Sequence, residues 1–509
     1  MEQVSGPDPR INELGKLCDQ LFQRCPLIVG SNRGPLEFRV TTDGLLQPRP
    51  GSGAVVTALS RLIQRYDFVW VANALGEGDR RALRDSLGEP IQSPLPMQRV
   101  SVRYVTTARR VYHKFYNIFC NPLLWFLQHY MWSPPYTPNV DGVAHDAWET
   151  GYRVVNQAFA DAIVLESEKL VVPPLVILHD YHLYLVAGMV RERVSAACIY
   201  QFIHIPWPAV HFWRLLPRSI RLEIFKSLCA TDLIGFQTGE DAQNFLSCCS
   251  QFLDQVNVDL SSGTIDWNGH RTKVRTYPTS IDVDEVRKIA SSPRVNEYER
   301  VLAPMCDKHT IVRVDRAEPS KNIVRGFRSY QLFLERYPEF RGQVNFLAFL
   351  VPARTHIKQY ERYRDEIDNL VNNINTTYGT STWTPIRIFY ENNYAQALAG
   401  MRLYDTLLVN SVADGMNLVA KEGPVVNAKN GVLILSEGTG AYSQLRDDAL
   451  VVAATDLHGG AEAFHQAVTM NAQERADRNA NLMEKVKKED VLDWLIKQVR
   501  DLDEVARAD

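Results

Sequence analysis

The chain has 509 residues, of which 45% are hydrophobic and 23% charged, so its composition is that of an ordinary globular protein. Its 56 basic and 59 acidic residues give a formal net charge of −3, which excludes a surface that is basic as a whole. No apolar run reaches the roughly 20 residues that cross a bilayer. The eight cysteines lack C-x-x-C spacing, which indicates a reducing compartment, the cytoplasm. We therefore expect no nucleic-acid or membrane partner.

Short apolar runs alternate with helical patterns along the chain, which predicts parallel β-α-β units and an α/β fold. The strands predicted in the first half are Leu27–Ser31, Phe68–Ala72, Leu175–His179, Ile199–His204 and Leu233–Gln237. Those predicted in the second half are Thr310–Val314, Val344–Leu350, Ile386–Tyr390, Thr406–Asn410 and Val432–Ser436. The length favours two domains, which we place at residues 1–285 and 286–475. A last helix is predicted from about Gln473 to Val505, and the C-terminal segment 476–509, which holds most of it, is expected to pack back on the first domain.

Two turns in the first half contain residues that suit an anion. The sequence SNRGP at residues 31–35 follows the first strand, and Arg33 is a candidate anion ligand. The turn at residues 50–54, PGSGA, precedes a helix and resembles a phosphate-cradling turn, although an ordinary Gly-rich turn is the alternative. An aromatic segment further along holds Tyr116 and Trp125, and core packing is the alternative for most of its rings.

Asp180 and His204 each follow a predicted strand, so both are expected at the same edge of the sheet. A metal site formed by His179, Asp180 and His182 is the alternative. That spacing differs from H-E-x-x-H and has no obvious further ligand, so a metal site is the weaker hypothesis.

Arg316 and Lys321 flank a proline-containing turn between a predicted strand and a helix that runs from Ile323 to about Tyr337. Two fixed cations at the end of a strand suit a departing diphosphate where no metal supplies the positive charge. Solvated surface cations are the alternative.

Asp414 and Glu422 lie where the strand at Thr406–Asn410 is followed by a helix predicted from Leu418 to Asn427. Ligands of open α/β sheets bind at this end of the strands, and free N–H groups at the start of a helix suit a phosphate. A sugar nucleotide fits this segment, with Asp414 on sugar hydroxyls and Glu422 on a ribose diol. An N-cap aspartate followed by an ordinary helical glutamate is the alternative.

Five motifs together resemble the trehalose-6-phosphate synthase family, which consists of retaining sugar-nucleotide glycosyltransferases with the GT-B fold. The motifs are SNRGP, HDYHL, HIPWP, VDRAEPSKN and DGMNLVAKE, in the family's order and spacing, between about Pro26 and Leu495. The resemblance implies two Rossmann-like domains that face each other across a cleft, with the acceptor on the first and the donor on the second. It implies retaining transfer of glucose from UDP- or GDP-glucose to glucose 6-phosphate, giving trehalose 6-phosphate, without a metal or other cofactor.

The resemblance also implies a role for each matching residue. The residues implied to bind the donor are Gly53, Arg316, Lys321, Asp414, Gly415, Met416, Asn417, Leu418, Val419 and Glu422. Those implied to bind the acceptor and its 6-phosphate are Arg33, Tyr116, Trp125, Asp180 and Arg354. Those implied to act in catalysis are Arg316, Lys321, Asp180, His204 and Asp414.

Three positions depart from the family pattern. The glycine pair of the loop reads Gly51-Ser52-Gly53, the residues after VDR are Ala317-Glu318-Pro319, and Asn322 replaces a glycine. These changes are similar to a divergent actinobacterial-type branch and leave the donor base open between uracil and guanine. Two other functions stay open: a pseudo-glycosyltransferase or related synthase with a cyclitol or other phosphorylated acceptor, and a non-catalytic regulatory homologue that binds sugar phosphates. A homo-oligomer is also left open.

Overall fold

A computed structural model of the chain describes residues 8–51, 53–353 and 357–508, which form two compact units. The first unit extends to Tyr277 and also includes the C-terminal segment from Trp494. The second unit is Pro278–Asp493. The boundary thus lies a few residues before the predicted 285/286, and the segment that rejoins the first unit begins at Trp494 rather than at residue 476.

The first unit is built on a ten-stranded sheet with a separate antiparallel hairpin, β2–β3. Its strands are β1 Leu27–Gly30, β2 Leu36–Val40, β3 Leu46–Pro50, β4 Val69–Asn73, β5 Ile91–Gln92, β6 Ser101–Val105, β7 Leu175–His179, β8 Cys198–Phe202, β9 Leu233–Phe236, β10 Asn257–Asp259, β11 Thr264–Trp267 and β12 His270–Thr276. Seven of them run parallel in the order β12-β9-β8-β7-β1-β4-β6, while β10, β11 and β5 add antiparallel pairings at the edges.

The helices of the first unit include two stretches of π-helix, Lys114–Trp125 and Trp148–Tyr152, and a 3-10 turn, Tyr181–Leu183. The α-helices are α1 Pro9–Arg24, α2 Ala54–Ala58, α3 Ser60–Arg65, α4 Glu77–Asp85, α5 Arg109–His113, α6 Phe126–Gln128, α7 Gly142–Ala147, α8 Arg153–Ser167, α9 Val186–Arg191, α10 Val210–Trp213, α11 Arg218–Leu228 and α12 Gly239–Phe252.

The second unit has one parallel sheet of six strands in the order β15-β14-β13-β16-β17-β18. The strands are β13 His309–Arg316, β14 Val344–Val351, β15 Ile386–Phe389, β16 Thr406–Val409, β17 Val432–Ser436 and β18 Leu450–Val452. The helices are α13 Val283–Ala290, α14 Pro293–Leu302, α15 Ile323–Arg336, α16 Lys358–Tyr378, α17 Tyr394–Leu403, α18 Val419–Val426, α19 Tyr442–Leu445, α20 Leu457–Thr469 and α21 Ala472–Lys488, with 3-10 turns at Ala303–Met305, Pro319–Lys321 and Pro338–Phe340. Counted from β13, the strand order is the 3-2-1-4-5-6 of a Rossmann fold.

Hydrophobic layers cover both faces of this sheet, because successive side chains of a strand point to opposite sides. Ile311 of β13 belongs to one layer with Phe327 of α15. The next residue, Val312, belongs to the other layer with Leu398 of α17. A strand that is buried on both faces appears in the sequence as a continuous apolar run. Each of the ten strands predicted from such runs is present in the structure.

The predicted last helix is in fact two helices, α21 and α22 (Val491–Ala508). Asp490 separates them, because its Oδ1 accepts from the N–H groups of Leu492 at 3.0 Å and Asp493 at 3.2 Å and thereby caps a new helix. Within the first unit, Trp494 Nε1 donates to the Tyr277 carbonyl at 3.1 Å. No helix in the described part of the chain is long and apolar enough to cross a membrane.

Candidate active site

The sheet of the second unit reverses its strand order between β13 and β16, which are parallel neighbours with Ile311 opposite Thr406. Ligands of open α/β sheets bind outside the carboxyl ends of the strands at such a point. Arg316 ends β13, Lys321 follows in the next turn, and Asp414 follows β16. The fold therefore brings together the two segments that the sequence predicted to act as neighbours.

Lys321 and Asp414 form an ion pair, and their side chains are only 11% and 15% exposed. The carboxyl oxygen that accepts from Lys321 Nζ, Asp414 Oδ2, also accepts from Ser411 Oγ at 3.2 Å. Asn417 Nδ2 donates to the same oxygen at 3.0 Å. Burial alone lowers the pKa of Lys321, but nearby carboxylates, that of Asp414 first, outweigh burial and raise the pKa above its usual value. Lys321 is therefore charged at neutral pH and held in place.

Arg316 is the more exposed of the two predicted cations, with 54% of its side chain open to solvent. Its guanidinium pairs at 2.8 Å with Glu318, whose side chain is fully buried. Glu318 belongs to the segment that departs from the family pattern after VDR. The departure therefore provides a buried carboxylate that fixes the cation.

A buried pair beneath these residues, Arg313 and Asp315, shapes the turn that carries Lys321. Arg313 donates to Asp315 Oδ2 through Nε at 3.0 Å and Nη2 at 2.7 Å. The same Nη2 donates to the backbone carbonyl of Lys321 at 2.9 Å. Because Arg313 is fully buried, its loss would leave Asp315 as an unpaired charge in the interior.

Asn322 has a left-handed backbone conformation, with φ of +57° and ψ of 36°. The family places a glycine here, and asparagine is among the few other residues that adopt this conformation readily. Its side-chain amide also donates to the carbonyls of Asn410 at 2.9 Å and Ala454 at 2.6 Å. Asn322 therefore replaces the glycine without a severe backbone penalty and adds two hydrogen bonds.

The segment that leads into α18 presents a row of backbone N–H groups. Within the described residues, the N–H groups from Gly415 to Val419 donate no hydrogen bond. Free N–H groups at the start of a helix attract an anion. This arrangement fits the prediction that the backbone from Gly415 to Val419, including Met416, Asn417 and Leu418, contacts a phosphate-bearing donor.

Glu422 lies in the first turn of α18, and its Oε1 accepts from the Tyr394 hydroxyl at 2.8 Å. Although part of the side chain is open to solvent, burial raises the pKa of Glu422 to about 7. The carboxyl therefore changes charge close to neutral pH. The preceding residue, Lys421, is buried and donates to the Thr279 carbonyl at 2.7 Å, so it belongs to the core.

The sheet of the first unit also reverses its strand order, between β1 and β7. Asp180 follows β7 with φ of +71° and ψ of 175°, a region that almost only glycine occupies and that costs about 1–3 kcal/mol. Its N–H donates to the Phe202 carbonyl at 2.8 Å, and its Oδ1 accepts weakly from the His204 N–H at 3.4 Å. Asp180 and His204 therefore do lie together at one edge of the sheet, as predicted.

His204 also contacts His179, whose Nδ1 lies 3.1 Å from His204 Nε2. His179 is 1% exposed, and His204 is partly buried. Burial lowers the pKa of His204 to about 3, and burial, followed by the proximity of His204, lowers that of His179 as well. Both imidazoles are therefore neutral at physiological pH.

The two aromatic residues predicted for the acceptor differ in their surroundings. Tyr116 is partly exposed and stacks on His182 with ring centroids 5.9 Å apart. Trp125 is 1% exposed and stacks on His129 at 4.0 Å. In this structure the Trp125 ring is packed among its neighbours and offers almost no surface, as the core-packing alternative expects, and its role toward the acceptor stays a prediction.

The remaining predicted residues are in or near loops. Arg33 is exposed directly after β1, at the point where the strand order reverses. Gly53 has φ of +138°, which favours glycine, and at Gly51 a Cβ would lie 1.9 Å from the Gly34 carbonyl oxygen. Ser52 and Arg354 lie outside the described residues.

A metal site at the HDYHL motif finds no support in the geometry. No group of three or more His, Cys, Asp or Glu side chains in the described ranges is arranged to hold a metal ion. His179 contacts the imidazole of His204, and His182 stacks on Tyr116.

The sequence matches glycosyltransferase family 20 over residues 26–504. The chain belongs to this family. It is a glycosyltransferase with the GT-B fold, and the predicted family, enzyme class and fold are confirmed.

Relatives of this family 20 glycosyltransferase are similar over most of its length. It is 32% identical over 476 residues to the UDP-forming alpha,alpha-trehalose-phosphate synthase of Schizosaccharomyces pombe. The matched region covers 91% of this chain and 87% of the relative. In two longer relatives, the region that matches this chain covers only 63% and 62% of the relative's length.

Two solved structures share its fold. One, from E. coli with UDP-2-fluoro glucose bound, has a TM-score of 0.80 at 26% identity and covers 94% of this chain and 98% of that chain. The other is the UDP-forming alpha,alpha-trehalose-phosphate synthase of Burkholderia xenovorans in complex with glucose-6-phosphate. It has a TM-score of 0.79 at 27% identity and covers 94% of this chain and 99% of that chain.

Two features of this glycosyltransferase were not predicted from the sequence, the Arg313–Asp315 pair and the contact of His179 with His204. The first had a signal, since an arginine and an aspartate stand two residues apart inside an apolar strand, where charges are rare unless paired. The second had only a coarse signal, the expectation that Asp180 and His204 lie at one edge of the sheet, because the contact itself depends on the register between β7 and β8.

Proposed function

We propose that the chain transfers glucose, with retention, from a nucleotide-glucose donor to glucose 6-phosphate and thereby forms trehalose 6-phosphate. The observation that carries the proposal is the Lys321–Asp414 pair beside the row of N–H groups that leads into α18. It combines a fixed cation, a carboxylate and anion-binding amides at one switch point, as a sugar diphosphate requires. UDP-glucose is the favoured donor because the relatives are named as UDP-forming.

The donor would bind by exchange of partners within this pair. A diphosphate oxygen would take the Lys321 ammonium, which now contacts Asp414 Oδ2. The carboxylate would then accept hydrogen bonds from hydroxyls of the transferred sugar, while Ser411 and Asn417 continue to orient it. Arg316 would add a second charge at the edge of the diphosphate, and Glu422 would accept from the ribose diol.

The acceptor would bind at the switch point of the first unit. Arg33 would pair with the 6-phosphate, because its planar guanidinium can form two parallel bonds to phosphate oxygens. Tyr116 would stack beside the sugar, and Asp180 would accept from an acceptor hydroxyl. The strained backbone of Asp180 supports a functional role, since strain of this kind persists where a site requires it.

The transfer itself would depend on positioning and charge. The acceptor hydroxyl and the departing diphosphate would lie on the same face of the anomeric carbon, so that the diphosphate oxygen takes the hydroxyl proton as the new bond forms. Lys321 and Arg316 would stabilise the negative charge that develops on the leaving group.

Product analysis with matched donors and acceptors tests this function. UDP-glucose and GDP-glucose are each combined with glucose 6-phosphate, glucose and a cyclitol phosphate, and products are identified by mass spectrometry and NMR. We expect trehalose 6-phosphate with the α,α linkage and a preference for glucose 6-phosphate over glucose above roughly tenfold in kcat/KM, since each charged hydrogen bond contributes about 1.5–3 kcal/mol. Equal use of glucose would contradict the acceptor assignment, and preference for the cyclitol phosphate would establish a pseudo-glycosyltransferase instead. No product with any pair would point to a regulatory homologue.

We also propose that the protein works in a reducing compartment, the cytoplasm. Its eight cysteines are free thiols. Cys229 and Cys249 lie 3.8 Å apart at their sulfurs in the core without forming a disulfide, as a reducing environment favours. Mass spectrometry of alkylated protein from unreduced cell lysate checks this, because eight alkylated cysteines are expected and any native disulfide would contradict the proposal.

A further inference from the structure

His179 and His204 form a side-chain contact that joins the ends of two parallel strands, β7 and β8. Their rings approach edge to face with Phe202, and their nitrogens, His179 Nδ1 and His204 Nε2, are 3.1 Å apart. At this distance one nitrogen carries the proton and the other accepts it. Since both imidazoles are neutral, each has a single N–H, and the contact couples the two tautomers.

The second nitrogen of His179 decides which tautomer is present. His179 Nε2 is buried and has no hydrogen-bond partner among the residues that the structure describes. A buried N–H without an acceptor is rarer in proteins than an acceptor without a donor. His179 Nε2 is therefore the bare nitrogen, and the proton lies on His179 Nδ1, which donates to His204 Nε2.

We propose that His179 is a positioning residue, which holds His204 in the tautomer whose Nδ1 carries the proton. The Nδ1 of His204 has no hydrogen-bond partner in the described part of the chain, and the His204 side chain is partly open to solvent. In this tautomer it is a donor fixed at the edge of the sheet, beside Asp180. A neutral N–H donor suits a hydroxyl or phosphate oxygen of the ligand and would repel an ammonium or another donor.

Which oxygen it meets rests on the proposed function, under which it is an oxygen of the transferred sugar or of the leaving diphosphate. The alternative is that His179 is a core histidine that merely fills space. The two hypotheses differ in what a ring of similar size without nitrogen would do. If His179 only fills space, His179→Phe should keep the activity. If His179 sets the tautomer, His179→Asn should keep it instead, because the asparagine Nδ2 lies near the position of the imidazole Nδ1.

The tautomer is measured directly and without any substrate. Protein labelled with ¹⁵N in histidine gives two-bond proton–nitrogen correlations, in which a protonated ring nitrogen and a bare one resonate far apart. The His204 signals are those that disappear in His204→Gln. We expect Nδ1 protonated and Nε2 bare in the wild type. A wild-type spectrum with Nε2 of His204 protonated would overturn the proposal, whatever the enzyme's substrate is.

Three variants complete the test, each checked for folding by thermal unfolding. We expect His179→Phe to lower kcat by about 10- to 100-fold, the order found for partners that orient an imidazole, and to leave a mixture of His204 tautomers. His179→Asn is expected to recover most of kcat and to restore the single tautomer. His179→Gln, whose amide reaches the place of Nε2 instead, should not recover it. If His179→Asn is as impaired as His179→Phe while both remain folded, or if His179→Phe is fully active, the proposal is wrong.

Discussion

Three cations in or beneath the proposed donor site each have a carboxylate partner: Arg313 pairs with Asp315, Arg316 with Glu318 and Lys321 with Asp414. The local charge is therefore balanced before a diphosphate binds. Binding must draw at least one cation away from its carboxylate, and the carboxylate must gain other donors. Lys321 and Asp414 are suited to this exchange, because sugar hydroxyls can replace the ammonium at Asp414.

Lys321→Ala should lose catalysis far more than stability. Removing one preorganised charge typically costs about 2.7–4 kcal/mol of barrier, so we expect a roughly 100- to 1000-fold fall in kcat at saturating donor. Arg316→Ala should also lower kcat, because it removes the second cation. Steady-state kinetics together with thermal unfolding measure the two effects separately.

The control variant is Lys288→Ala, which removes a lysine whose side chain is 79% exposed, and it should be neutral. In Lys321→Ala the carboxylate of Asp414 loses its cation, so some loss of stability is expected. The double variant Lys321→Ala/Asp414→Asn should regain that stability and remain inactive. Near-wild-type turnover in folded Lys321→Ala would show that the ammonium has no part in the reaction.

Glu422 should make stability depend on pH near neutrality. Burial raises the pKa of its carboxyl from 4.5 to about 7, so the folded state favours the protonated form. The stabilisation is fully present below pH 4.5 and is lost as pH rises through about 7. Glu422→Gln cannot ionise, so the wild type should lose stability relative to Glu422→Gln between pH 5 and 8, as chemical denaturation at each pH would measure. A constant difference would show that the carboxyl keeps its ordinary pKa.

At the level of elements, the turn between β13 and α15 depends on Asn322. Its left-handed backbone costs most other residues about 1–2 kcal/mol, which glycine avoids. We therefore expect Asn322→Ala to destabilise the protein more than Asn322→Gly, although both lose the bonds to Asn410 and Ala454. Denaturant unfolding of the two variants gives the difference directly. Equal stability would mean that the side-chain bonds alone matter at this position.

Ten of the thirteen parallel strands were predicted, because burial on both faces makes such a strand an apolar run, as in β14 with Val344–Val351. The parallel strands β6, β12 and β18 and the antiparallel strands β10 and β11 were not predicted, since they are short or carry polar residues. The hairpin β2–β3 contains two prolines in Leu46–Pro50, which argue against a strand in a sequence. The helix that was predicted as one piece is two because Asp490 can cap as well as continue a helical pattern.

The motifs correctly placed Lys321 and Asp414 near each other, since the strands that they follow are neighbours in the sheet, whereas their role toward a donor stays a prediction. The burial of Trp125 was not predictable, because an aromatic residue in a motif looks the same in sequence whether its ring is exposed or 1% exposed, as it is here. The contact between His179 and His204 depends on register between strands, which a single sequence does not contain.

For the molecule as a whole, we expect activity without an added divalent metal. Lys321 and Arg316 can stabilise the leaving diphosphate, and Lys321 remains charged at neutral pH because carboxylates raise its pKa. Turnover after dialysis against EDTA, compared with turnover after adding back Mg²⁺ or Mn²⁺, measures this. A complete loss that the metal reverses would show that these cations are not sufficient.

The chain leaves the first unit after Tyr277 and returns to it only at Trp494, so the second unit is an insertion within the first. The returning helix supplies buried side chains, and the Tyr200 hydroxyl donates to Gln498 at 2.7 Å. At ribosomal rates of about 5–20 residues per second, the roughly 200 inserted residues delay this helix by about 10 to 40 seconds. During that interval the surface around Tyr200 and Phe202, which Trp494 later covers, remains exposed to solvent on the nascent chain. The second unit can therefore fold before the last helix of the first unit has been synthesised. The first unit, whose synthesis begins earlier, is then completed after the second.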